Sequence, residues 1–125
     1  MAIGFTTTST LLKDQAERSK SKELEVFGVA VLDDTEGKHD IISTSNAQLH
    51  LFMQMKRGNV DKIIFQSAEQ AEIFFKNITT YYGEEKANRI ISSVSYISVN
   101  DAADHLRTKG LEYKEAGSFE EALTF

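Results

Sequence analysis

The chain contains no cysteine and no proline. Without cysteine there is no disulfide, no thiolate nucleophile and no cysteine-ligated metal; the lack of proline carries no functional reading. Long apolar runs are missing as well. No window approaches the roughly 18 unbroken apolar residues of a membrane span. The opening Met-Ala-Ile-Gly-Phe-Thr-Thr-Thr lacks the basic start and long apolar region of a secretory signal. A cytoplasmic protein with no membrane partner is therefore the expectation. Positive charge is also in short supply. The net charge of −5 argues against sequence-independent binding of nucleic acid, which relies on Lys and Arg neutralising phosphates.

What is present is the composition of an ordinary globular protein, 41 % hydrophobic and 26 % charged. At 125 residues such a chain buries roughly two-thirds of its unfolded surface, so a single domain over residues 1–125 is expected.

Read along the chain, Ile3 to Phe5 forms a short first strand, a hydroxyl run follows from Thr6 to Thr10, and Leu11 to Arg18 is a mostly solvated helix. Leu24 to Leu32 is nearly continuous in apolar and β-branched residues, as a strand covered on both faces should be, and stops at the loop Asp33-Asp34. Asp40 to Thr44 is a brief strand or the start of the next helix. Ser45 with Gln48 has capping-box spacing, opens a helix with Leu49, Phe52 and Met53 inward, and Lys56-Arg57-Gly58-Asn59 ends it. Val60 to Ser67 is a strand that runs without a gap into a helix capped by Ser67 and Gln70, with Ala71, Phe74, Phe75, Ile78 and Tyr82 on one face and Gly83 as the stop. Arg89 to Ile97 reads as the fourth strand. Ser98 or Asn100 caps a helix over Ala102, Ala103 and Leu106. Leu111 to Tyr113 is an edge strand, and Ser118 with Glu121 opens a terminal helix.

This alternation predicts an α/β fold: a three-layer flavodoxin-like domain with a five-stranded, mainly parallel sheet in the order 2-1-3-4-5. In such a sheet the carboxyl ends of the strands gather hydroxyls and amides. Thr7, Thr44, Ser45, Gln66, Ser67, Ser98 and Asn100 are the candidate ligand-binding residues. Each helix N-terminus there carries roughly half a positive charge and free N–H donors, so the rim suits a phosphate or carboxylate. The plainer role for the serines is capping, at about 1 kcal/mol each.

Other constellations point away from catalysis and metals. Asp33-Asp34 resembles the acidic pair of response-regulator receiver domains, but the third strand ends Phe-Gln-Ser and supplies no phospho-accepting aspartate; a solvated loop is the better account. His39, His50 and His105 lack metal-ligand spacing. There is no Gly-rich phosphate motif and no nucleophile elbow. No residue is assigned as catalytic, and no cofactor or metal is expected.

The stretch Asn59-Val-Asp-Lys-Ile-Ile-Phe-Gln-Ser-Ala-Glu-Gln-Ala-Glu-Ile-Phe-Phe75 resembles the strand-to-helix corner of the uroporphyrinogen-III synthase family. Tyr96 to Leu111 and the closing Ser-Phe-Glu-Glu-Ala-Leu are similar to later motifs of that family; within the corner, Gln66, Ala68 and Glu69 here replace the family's threonine, proline and serine. The resemblance implies a lyase of tetrapyrrole (porphyrin) biosynthesis. Its members close hydroxymethylbilane by orienting it between two such domains and hold the polycarboxylate through backbone N–H and hydroxyl groups. Ser67 matches the corner serine, with Thr44, Ser45, Ser98 and Asn100 as neighbouring donors. One domain supplies half of that cleft. The chain is then a fragment, a subunit whose homodimer rebuilds the cleft, or a relative that has lost catalysis. The alternatives are a non-catalytic α/β protein-interaction module, using the rim or the Tyr81-Tyr82 face, and a sensor of a small anion.

Overall fold

The computed structural model describes residues 2–20 and 24–125. Strand β1 (Ala2–Thr8) leads to α1 (Leu12–Arg18); β2 (Glu25–Asp33) is followed by a 3₁₀ turn at Thr35–Gly37 and a two-residue strand β3 (Asp40–Ile41). Then come α2 (Asn46–Lys56), β4 (Lys62–Phe65), α3 (Ala68–Tyr82), α4 (Glu84–Ser92), β5 (Ser95–Val99), α5 (Ala102–Thr108), β6 (Tyr113–Ala116) and the one-turn α6 (Phe119–Ala122). The fold is α/β and roughly flavodoxin-like.

The sheet order is β3-β2-β1-β4-β5-β6. It is six-stranded and mixed, which corrects the five strands expected: β3 runs antiparallel along β2, with Leu32 opposite Ile41 and Asp33 opposite Asp40. The cause is the turn between them. Glu36 and Gly37 take positive φ values of 54° and 77°, reversing the chain so that it returns beside β2 before entering α2. The remaining neighbours pair in parallel.

A second correction concerns Arg89 to Ile97, expected as one strand. Residues 89–92 instead finish α4, and β5 begins only at Ser95. Ile90 and Ile91 are β-branched, yet with Ala87 they fall at helical spacing on one buried face. Gly83, at φ 86°, lets the chain leave α3 and start α4 with no intervening loop.

The two faces of the sheet are covered unequally. On one side α2, α3, α4 and α5 close a large core, including Leu51, Phe52, Phe74, Phe75, Ile78 and Leu106. Phe65 sits at its centre, 5.5 Å from Phe74, 5.1 Å from Phe75 and stacked 5.7 Å from Tyr96 by ring centroids, geometries in which aromatic pairs attract beyond their area burial. On the other side α1 and α6 cover a smaller cluster of Ile3, Phe5, Ile64, Ile97, Val99 and Phe119. Period-two alternation along β1 sends Ile3 and Phe5 to this thinner side. Gly28 of β2 lies so close beneath Phe5 that a Cβ there would meet the ring at 2.4 Å.

Candidate functional site

Chain connections leave β1 and β4 in opposite directions, towards β2 and towards β5, and the crevice over the carboxyl ends of such a strand pair is where open α/β sheets bind ligands. Here three glutamine side chains occupy it. Gln66, just past β4, donates to Thr6 O at 2.8 Å and forms a reciprocal amide pair with Gln15 of α1, at 2.8 and 2.9 Å. Thr7 donates to Gln15 Oε1 at 2.6 Å, and Thr6 donates to Gln70 Oε1 of α3 at 2.9 Å. Thr6, Thr7, Gln15 and Gln70 are all buried. Of the sequence candidates, Thr7 and Gln66 therefore belong to one closed network that ties α1 and α3 to β1.

The corner next to it is equally committed. Ser67 accepts the Gln70 N–H at 3.1 Å, and Ser98, placed opposite Phe65 by strand pairing, accepts the Ala103 N–H at 2.7 Å. Asn100 takes a left-handed conformation, φ 57°, from which its side-chain amide donates to Gln66 O at 3.0 Å. Asp101 reaches across to accept the Ala68 N–H at 2.9 Å. In the first turn of α3, Glu69 N is the amide left without an internal partner among the described residues. Ser45 does cap α2 through the Gln48 N–H at 3.2 Å. The β3 return, however, carries Thr44 and Ser45 away from the corner. That loop packs beside the middle of α3, where Asn77 donates to Ile42 O at 3.1 Å. The structure thus brings together Thr7, Gln66, Ser67, Ser98 and Asn100 and sets Thr44 and Ser45 apart.

The three capping boxes form by half. Each serine accepts its backbone N–H; Glu121 reaches back one residue past the cap to accept the Gly117 N–H at 3.0 Å, but the side chains of Gln48 and Gln70 do other work. Gln48 donates to Ala30 O and accepts from Asn77, and Gln70 accepts from Thr6. Both glutamines are buried, and a buried amide stabilises more by joining two elements than by bonding its own helix cap.

The charge at this end is negative. Asp33 accepts from the Thr35 hydroxyl at 2.7 Å and the Ser9 hydroxyl at 2.8 Å, and these bonds lower its pKa below the usual carboxylate range. Asp34 accepts from the Thr10 hydroxyl at 2.7 Å and the Thr10 N–H at 2.9 Å, which pull its pKa down to about 2. Neither can serve as a proton donor at neutral pH. Glu69 pairs with His39 at 2.9 Å. The concavity at this end, about 430 Å³ against Ser98, Asn100 and Glu115, is shallow. The larger one, about 690 Å³, lies at the opposite end of the sheet, against Lys62, Ser95 and Lys114.

Sequence reasoning placed Gln70 at this corner only as the cap partner of Ser67, not as the acceptor of Thr6, and it missed Gln15 and Asp101 as members of this region. No local signal marks them, because each is defined by a partner at least 33 residues away or, for the Gln15–Thr7 bond, by the turn of α1 back over β1. His105 is half-buried and stacked 5.9 Å from Phe75, and burial lowers its pKa. Among the described residues no three His, Asp or Glu side chains gather as a metal site, and no helix is long and apolar enough to cross a membrane. Comparison with family models, curated proteins and solved structures finds no match to this chain.

Proposed function

We propose that the chain is a non-catalytic α/β protein-interaction module. The observation that carries this reading is the filled crevice: Gln15, Gln66 and Gln70 spend their amides on Thr6, Thr7 and one another where a small ligand would otherwise sit. A small-molecule site needs concave space with convergent, unspent polar groups. At this end the Ser67 and Ser98 hydroxyls cap helix N–H groups, those of Ser9 and Thr10 bond carboxylates, and Thr8 Oγ1 alone is buried without a partner among the described residues. Asp33, Asp34, Glu69 and Asp101 set like charge against an incoming polycarboxylate. Function then falls to outer surfaces, which a protein partner reads without a crevice.

The immobilised chain is expected to retain one partner from an extract of its native cells at fixed stoichiometry. Ser67→Ala, which removes a cap worth about 1 kcal/mol, is expected to retain it equally. Loss of that partner on Ser67→Ala while the variant is folded, or recovery of none by the wild-type chain, overturns the reading.

The corner itself supports a second reading. Ser67 stands between β4 and α3 as the synthase-like motif requires, and a second domain or second copy would complete a cleft for hydroxymethylbilane. Incubation with that substrate separates the two: the type III isomer supports a lyase and removes the module, whereas the spontaneous type I product alone removes the lyase.

A further inference from the structure

On an acidic chain, positive charge is concentrated where the C-terminal ends of α2 and α3 meet the start of α4. Lys56 of α2 and Lys86 of α4 both lie over the ring of Tyr82, their ammonium groups 5.9 and 5.1 Å from its centroid. Tyr82 meets Tyr81 edge to face at 4.9 Å, and Tyr81 is 56 % exposed. Met53, one turn before Lys56 and 40 % exposed, and Arg89, one turn after Lys86, extend the patch along the two helices.

Helix stabilisation explains only part of this arrangement. Lys56 and Arg57 suit the negative end of α2. Lys86 is different. It lies in the first turn of α4, where the helix dipole disfavours a cation, and it faces a second lysine. The proximity of Lys56, and secondarily of Arg89, pushes the Lys86 pKa below its ordinary value. Among the described residues no carboxylate pairs with Lys56, Lys86 or Arg89; the ion pairs present are at Arg18, His39 and Arg107. Two ammonium groups are held together over one aromatic ring, and although Glu84 and Glu85 stand in the same first turn of α4, no carboxylate among the described residues forms an ion pair with either lysine.

We propose that this patch docks an acidic segment of a partner protein, its carboxylates set between Lys56 and Lys86 and an apolar side chain laid on Tyr81 and Met53. An incoming carboxylate relieves the lysine–lysine repulsion as it binds, and the tyrosine faces and the thioether add apolar contact beside the charges. A short acidic segment fits better than a nucleic acid: the patch spans the ends of three helices, and the rest of an acidic surface repels a long polyanion. The proposal rests on the interaction-module reading and specifies where that module works.

The test uses the full chain and a fluorescein-labelled probe, the peptide Glu-Glu-Leu-Glu-Glu-Phe-Glu-Glu, read by fluorescence anisotropy. Saturable binding is expected, with none for the peptide in which every Glu is Gln. Lys56→Gln with Lys86→Gln is expected to weaken it by at least about tenfold, and Tyr81→Ala by several-fold, with circular dichroism showing both variants folded. Raising salt from about 0.1 M to about 1 M, which shortens the screening length from about 10 to about 3 Å, should weaken it as well. Equal binding by the wild-type chain and the double lysine variant overturns the proposal, as does absence of binding or tighter binding of an oligouridylate of equal charge. A partner recovered from extract equally by wild-type and double-variant chains removes this patch and leaves the module reading standing. Recovery of no partner by the wild-type chain, or production of the type III isomer, removes the module reading itself.

Discussion

At the scale of single residues, the crevice is decided by amides rather than by charges. Gln15 holds both the Thr7 hydroxyl and the Gln66 amide in a buried setting. Replacing it with leucine strands two polar groups, each at a cost of about 1–3 kcal/mol. Gln15→Leu is therefore expected to lower the unfolding free energy in urea by a few kcal/mol. The double variant Gln15→Leu with Gln66→Leu should cost less than the sum of the singles, because the reciprocal pair is then removed whole; strictly additive losses would show that the pair does not exist in solution.

Asp34 gives a prediction in pH. Its folded-state pKa of about 2 lies below the ordinary value of 3.8, so its stabilising effect is fully present above about pH 4 and is lost as pH falls towards 2. Asp33 shifts the same way. A carboxyl titration by NMR should place the Asp34 midpoint near 2, and Thr10→Val, which deletes the first of its donors, should move that midpoint upward. An unmoved midpoint contradicts the assignment of cause.

At the scale of elements, glycine positions report how tightly the layers meet. A methyl at Gly28 would stand 2.4 Å from the Phe5 ring, whereas one at Gly4 would meet the flexible end of Leu51 at 3.0 Å. Gly28→Ala is expected to cost about 1–3 kcal/mol or more by overpacking, and Gly4→Ala distinctly less, in thermal or urea unfolding. The reverse ranking would mean that β1 and β2 do not pack in this register.

Elements whose signal is local were legible in the sequence. Strand 24–32, the Val60–Ser67 corner and the three serine caps follow from contiguous patterns and are seen. The misreading at Arg89 to Ile97 came from β-branched residues that tertiary packing placed on a helix, although Gly83 followed by Glu84 and Glu85 carries the mark of a helix start. The antiparallel return at Asp40 was too short for any period to appear. Of the candidate site, Ser67 and Ser98 as caps were legible, whereas the Gln15–Gln66 pair and the Lys56–Lys86 meeting depend on contacts across 51 and 30 positions that no local pattern encodes.

For the molecule as a whole, the unequal covering of the sheet sets the order in which it opens. Four helices and an aromatic cluster hold one side; α1 and a single-turn α6 hold the other. Less apolar surface must be released to lift the thin side, so sub-global openings begin there. Amide hydrogen exchange under native conditions should therefore run fastest in α1 and α6 and slowest in β4 and α3. With α1 and α6 lifted, the backs of Phe5 and Ile64 meet water while the Phe65 cluster stays sealed. The state most exposed to proteases and to association is then a nearly intact sheet with one wall gone, so lifetime in the cell depends on the seven residues of α1 as much as on the large core.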